Sequence, residues 1–129
     1  MVQNELPRPT DAELAILRAL WDLGPSTVRQ VHDAMSADQS TGYTTVLKLM
    51  QIMTEKRLLE RDESQRAHVY TPRVSEQKTQ RQLVTDLLDR AFAGSTAQLV
   101  LQALSSKTAS ASEIEEIRQL LDTIEGGSR

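Results

Sequence analysis

Apolar positions along this chain recur mainly at helical spacing, and only short stretches alternate as strands do. Within residues 41–53, Val46, Leu49, Met50 and Met53 fall at i, i+3, i+4 and i+7, which predicts a helix with one apolar stripe. Away from the stripe stand Thr44, Thr45, Lys48 and Gln51, with no acid until Glu55. Thr41 and Gly42 break the chain just before Tyr43, so polar groups crowd the helix start. A helix start carries free N–H groups and a partial positive charge, which attract phosphate.

The chain upstream reads as what holds this helix. Residues 6–9 form a stiff, proline-bounded entry. Thr10 and Glu13 have capping-box spacing and open a first helix, running to about Leu23 with Leu14, Leu17, Leu20 and Trp21 inward. Gly24 and Pro25 end it. Thr27 with Gln30 opens a second helix, to about Ala37, that carries Val28, Val31 and Met35. Residues 38–42 are a short turn, so two helices joined by a turn lead into the polar-faced one, the spacing of a helix-turn-helix.

Downstream, residues 58–61 and 67–71 are short strand candidates on either side of the polar residues 62–66. They predict a hairpin with Arg61 and Arg66 near its tip, closed by Pro72. Three helices followed by a hairpin predict a winged helix over residues 1–73, whose wing would lie along a phosphate backbone beside the groove. From Ser75 the character changes. A long helix over 75–93 carries Leu83, Leu87 or Leu88, and Phe92, and Gly94 ends it. Ser95 or Thr96 then caps a shorter helix with Leu99, Val100, Leu101 and Leu104. After a break at 105–108, Ser110 and Glu113 open a last helix with Ile114, Ile117, Leu120, Leu121 and Ile124, ended by Gly126 and Gly127. The fold class expected is mainly α, with an N-terminal winged helix-turn-helix and a helical dimerisation domain over 74–129. Helices this apolar and this short are poorly placed to form a core alone, so the expected partner is the same element of a second chain. Packing back onto the N-terminal domain is the alternative.

Composition narrows the function. Only 3% of the 129 residues are aromatic against 39% hydrophobic, so the core must be aliphatic. The net charge of −3 argues against indiscriminate nucleic-acid binding, and its distribution is uneven. Residues 41–73 hold six basic side chains against four acids, whereas acids outnumber bases on both sides of them. The absence of cysteine excludes disulfides, thiolate metal sites and a cysteine nucleophile. His32 and His68 stand apart with no carboxylate motif nearby, which speaks against zinc. No apolar run is long enough to span a membrane, residues 1–10 do not read as a signal peptide, and a cytoplasmic location is expected. There is no glycine-rich phosphate loop and no nucleophile-plus-base pattern, so neither an enzyme nor a cofactor is expected.

The residues 10–21 (TDAELAILRALW), 42–47 (GYTTVL), 55–61 (EKRLLER) and 66–72 (RAHVYTP) resemble the penicillinase-repressor and methicillin-resistance-regulator (BlaI/MecI-type) family of bacterial transcriptional repressors. The segments 98–101 (QLVL) and 113–121 (EIEEIRQLL) echo the same family, so the resemblance covers nearly the whole chain in order. It implies a winged helix, a helical dimerisation domain and repression by blocking a palindromic promoter operator. On the matching positions Thr44, Thr45 and Lys48 would touch DNA from the recognition helix, with Tyr43 and Gln51 beside them. Arg61, Arg66 and His68 would touch it from the wing. Leu87, Leu88, Phe92, Leu99, Leu101, Leu104, Ile114, Ile117, Leu121 and Ile124 would form the dimer. The resemblance further implies release by proteolysis in an antibiotic response, by a protease under a membrane-bound zinc-metalloprotease sensor of β-lactams. The family's cut follows its LVL segment, and the matching bond is Gln102–Ala103 where the family often has Asn–Phe. Leu47 and Ile52 replace basic recognition residues of some members. The cysteine cluster of the copper-responsive branch is missing.

Two other readings compete. A winged-helix module that binds protein would use Leu47 and Ile52 as an apolar patch. A repressor that responds to a small molecule would hold its effector between the domains.

Overall fold

The computed structural model describes residues 8–35, 41–106 and 109–127. Its elements are α1 (Asp11–Leu23), α2 (Val28–Met35), α3 (Tyr43–Glu55), β1 (Leu59–Asp62), β2 (Val69–Pro72), α4 (Glu76–Ala91), α5 (Thr96–Ser106) and α6 (Ala111–Gly127). The fold class is therefore as the sequence indicates: mainly α, with three helices and an antiparallel hairpin in the first half and three helices in the second.

Helix starts follow the capping chemistry. The Glu13 amide donates to Thr10 Oγ1 at 3.2 Å and the Thr10 amide to Glu13 Oε1 at 2.9 Å, a complete capping box. Thr27 and Gln30 repeat the arrangement before α2. Ser75, Ser95 and Ser110 each accept from an amide three residues on, so Ser95 caps α5 and Thr96 is its first residue.

Helix ends need special backbone. Gly24 closes α1 at φ 84°, ψ −171°, a conformation essentially restricted to glycine. The end of α3 is a Schellman motif: the Leu58 amide donates to the Met53 carbonyl and the Arg57 amide to that of Thr54. Its left-handed position, normally glycine, is Arg57 at φ 69°. The strain there turns the chain so that Leu58 and Leu59 enter the core.

That core is aliphatic. Ile16, Leu17 and Leu20 of α1 meet Val28 and Val31 of α2, Val46, Met50 and Met53 of α3, and Leu58, Leu59, Tyr70 and Val74 around the hairpin. Two inward assignments shift: Leu14 and Trp21 are only half-buried, and Ile16 is fully buried. The buried face of α1 is Glu13, Ile16, Leu17 and Leu20, and its first position is a carboxylate, which hides the stripe from a hydrophobicity pattern. The Trp21 indole N–H donates to the Val74 carbonyl, fixing the chain where it leaves the hairpin.

β1 and β2 pair antiparallel with Leu59 opposite Pro72 and Arg61 opposite Tyr70. A separate bridge joins Ser26, just before α2, to Tyr70, through N–H···O bonds of 3.1 and 2.7 Å in the two directions. The hairpin is thereby tied to the helix-turn-helix.

The chain divides into two compact units between Leu83 and Val84. The first unit takes Val74 and Thr79 into its interior. In the second unit none of the described residues is fully buried. Three helix ends differ from the sequence reading: α4 stops at Ala91 and not at residue 93, Ser105 and Ser106 belong to α5, and α6 includes Gly126 and Gly127. The rest of the first break, residues 107–108, lies outside the described residues, as do the end expected for α2 and most of the turn after it. No helix among the described residues is long and apolar enough to cross a membrane.

Two substitutions should move stability in opposite directions. At Gly24 an added Cβ meets nothing within 4 Å, so Gly24→Ala costs conformational energy alone, about 1–3 kcal/mol. Arg57→Gly relieves the left-handed strain and should stabilise by up to about 1 kcal/mol. Urea denaturation reads both.

Candidate nucleic-acid interface

α3 buries Val46, Met50 and Met53 and turns Thr44, Thr45, Lys48 and Gln51 to solvent. Gly42 precedes it as an N-cap with no side-chain cap hydrogen bond. Lys48 meets no carboxylate among the described residues, so its charge is free to act outward. Leu47, half-buried, packs against the core, whereas Ile52 is exposed.

Tyr43, the first residue of α3, is held on two sides. The Arg29 guanidinium from α2 lies over its ring, 5.2 Å from the centroid. The His32 ring meets it edge-on, with centroids 6.0 Å apart and planes at 75°. His32 Nε2 also lies 3.0 Å from the Thr41 carbonyl, so the ring pins the backbone that enters α3. A cation over an exposed tyrosine contributes about 0.5–1 kcal/mol.

At the other end of α3, Lys56 reaches back to α1. Its Nζ sits 2.7 Å from Oε1 of Glu13, whose side chain is buried. Burial pushes the Glu13 carboxyl up. The Lys56 ammonium and the hydrogen bonds from Thr10 outweigh burial and hold it below its ordinary value. One carboxylate thus caps α1 and fixes the end of α3.

The hairpin corrects one expectation. Arg61 is not near the tip but within β1, half-buried, with Nη2 2.6 Å and Nε 2.7 Å from Glu63 Oε2. The Tyr70 hydroxyl and the Glu63 carboxylate raise its already high pKa. Arg66 and His68 do lie in the connecting loop, exposed. Asp62 is held as carboxylate by the Ser64 amide, 2.9 Å from Oδ1, with smaller help from His68. Between α2, the start of α3 and this loop lies a cleft of about 370 Å3, bordered by Arg29, Tyr43, Leu47, Arg66 and His68. Among the described residues no carboxylate lines it. Arg29 was absent from the residues singled out in the sequence. Nothing in α2 taken alone distinguishes it from a solvated helix arginine.

In the second unit Leu87, Leu101, Leu104, Leu121 and Ile124 are exposed, while Leu88, Phe92, Leu99, Ile114 and Ile117 are half-buried. Val84, Val100 and Leu120 are exposed too. Gln102 and Ala103 lie inside α5 with exposed side chains. Among the described residues no group of three or more histidine, aspartate or glutamate side chains could hold a metal.

Three helices, a hairpin tied back to the second of them, and a polar face on the third define a winged helix-turn-helix protein. A family model described as penicillinase repressor matches residues 9–123, and the chain belongs to that family. Its members are transcriptional repressors, not enzymes. The chain is 33% identical over 124 residues to the transcriptional regulator BlaI of Mycobacterium tuberculosis, covering 95% of this chain and 89% of that one. It is 25% identical over 119 residues to the penicillinase repressor of Bacillus licheniformis, covering 92% and 93%. Among solved structures, the DNA-binding domain of the repressor BlaI aligns with TM-score 0.50 at 23% identity, over 57% of this chain and 90% of that one. Monomeric Bacillus licheniformis BlaI in complex with the blaP half-operator aligns with TM-score 0.50 at 24% identity, over 56% and 88%. Both support the winged-helix fold.

Lys56→Met leaves the buried Glu13 carboxylate without its cation. The expected cost at pH 7 is about 1–2 kcal/mol, reduced from that of a fully buried pair because Lys56 is 36% exposed. The Glu13 pKa is depressed in the folded state, so the pair's contribution is present above the ordinary value of 4.5 and is lost as pH falls through the lower folded value. Urea denaturation of both proteins at pH 7 and pH 3 should therefore show the difference shrinking in acid. Equal costs at both pH values would remove the electrostatic account.

Proposed function

We propose that this chain is a homodimeric repressor that binds a palindromic DNA operator. In this reading α3 enters the major groove with Thr44, Thr45, Lys48 and Gln51, Tyr43 sits at the groove mouth, and the wing follows the backbone with Arg66 and His68. The observation that carries it is the outward face of α3: polar and exposed, with one cation, Lys48, that meets no carboxylate among the described residues, and flanked by a cleft whose described lining holds no acid. Relatives named as repressors and the half-operator complex of the Bacillus licheniformis protein support it. Arg61 has a smaller share, because Glu63 already neutralises it. A protein-binding module fits less well, since Leu47 packs against the core and the apolar patch reduces to Ile52.

The dimer would form through the second unit, whose described residues include exposed leucines and isoleucines. Two recognition helices about 34 Å apart would then meet successive turns of a two-fold symmetric site. The reading extends to release by cutting at Gln102–Ala103 by a protease under a membrane metalloprotease sensor. That bond is helical, so α5 must open locally before a protease can take it. The cut would separate α6 from the DNA-binding unit.

Footprinting on DNA from upstream of the protein's own gene, over a salt series, tests the repressor reading. A protected symmetric site with a steep salt slope is expected, and uniform weak binding would overturn it. Lys48→Ala should reduce the slope by about one per bound protomer, whereas Thr44→Ala should change which sequences are preferred. Leu121→Asp together with Ile124→Asp should convert the dimer to monomer in sedimentation equilibrium. A dimer that survives both changes would place the interface elsewhere.

A further inference from the structure

The cleft beside α3 carries a second cation that the recognition helix does not supply. We propose that Arg29, on α2, is a phosphate-backbone contact, and that Tyr43 is a positioning residue acting through it. This deepens the operator-binding reading and rests on it.

Four observations lead here. The Arg29 guanidinium lies over the Tyr43 ring and meets no carboxylate among the described residues, so its charge is oriented but not neutralised. The Tyr43 ring is itself braced edge-on by His32, whose other contacts are the Thr41 carbonyl and Asp33, 3.7 Å away. Across the same cleft stand Arg66 and His68 from the wing loop, and the described lining residues include no acid. The cleft is some tenfold larger than a water's share of liquid volume (~30 Å3).

Charge complementarity selects the occupant. A duplex whose major groove holds α3 must carry one strand's backbone out of the groove between that helix and the wing, and this cleft is the space between them. A planar, pre-oriented guanidinium can hold two phosphate oxygens at once, with little further ordering on binding. Such a contact fixes register and affinity and carries no sequence information. Tyr43, with its ring already occupied on two sides, serves as the platform that aims Arg29.

The test uses the full-length protein and fluorescence anisotropy, with a footprinted operator duplex and an unrelated duplex of equal length, over a salt series. Arg29→Ala should lower affinity for both duplexes alike, by roughly eightfold per bound protomer at ~0.1 M salt, and reduce the slope by about one per protomer. Tyr43→Phe keeps the ring and should recover most of the affinity that Tyr43→Leu loses. Tyr43→Leu should lower affinity by part of the Arg29 effect and add nothing in the Arg29→Ala background. Parental affinity and slope for Arg29→Ala, or a loss confined to the operator, would overturn the phosphate contact. An equal Tyr43→Leu loss in both backgrounds would overturn the positioning role, since Tyr43 would then touch DNA itself. A parent protein that fails to distinguish the two duplexes at any salt would overturn the operator reading, a result separable from all of these.

Discussion

Two backbone hydrogen bonds between Ser26 and Tyr70 join what would otherwise be two separate pieces. A hairpin of two four-residue strands is marginal in water by itself. The bridge gives it a third, one-residue edge, and the same Tyr70 carries its side chain into the core. Because the bridge lies just before α2, it sets the distance between the wing loop and the helix-turn-helix. The cleft bordered by Arg29 on one side and by Arg66 and His68 on the other exists because of it. The Trp21–Val74 hydrogen bond closes the other end of the hairpin against α1. α3 is held with similar economy: His32 at its entry and Glu13 through Lys56 at its exit fix both ends, while the stripe of Val46, Met50 and Met53 fixes its rotation.

Charge is placed rather than accumulated. The chain is acidic overall, yet Lys48 on α3 and Arg29 beside it meet no carboxylate among the described residues. Two other basic groups are spent internally, Lys56 on Glu13 and Arg61 on Glu63. A recognition helix with a single cation gains only a modest sequence-independent term from phosphate neutralisation. Discrimination then rests more heavily on short side chains such as Thr44 and Thr45 at base edges.

The sequence made the helical stripes legible wherever every buried position was apolar, as in α3 and α2. It misled on α1, where Glu13 occupies a buried position because Thr10 and Lys56 satisfy it, and a periodicity count reads that position as solvent-facing. The hairpin was visible as two short strands, but Arg61 was misplaced because β1 runs on through the polar Asp62, which sets Arg61 inside the paired strand. The contacts of Arg29 with Tyr43 and of Ser26 with Tyr70 link residues distant in the chain, through ring stacking and a single bridge that leave no local pattern. The apolar faces of α4 to α6 were readable as stripes, and their exposure within one chain is the fact that periodicity cannot distinguish from burial.

The scarcity of aromatic residues has a practical side. Trp21, Tyr43 and Tyr70 all lie in the first unit, and Phe92 is the sole aromatic of the second. Trp21 donates its indole N–H to the chain leaving the hairpin, so its fluorescence reports the integrity of the winged helix. Far-ultraviolet circular dichroism, by contrast, weighs every helix in both units. Thermal melts followed by the two signals need not coincide, and a gap between them would separate the two units without labels or truncation.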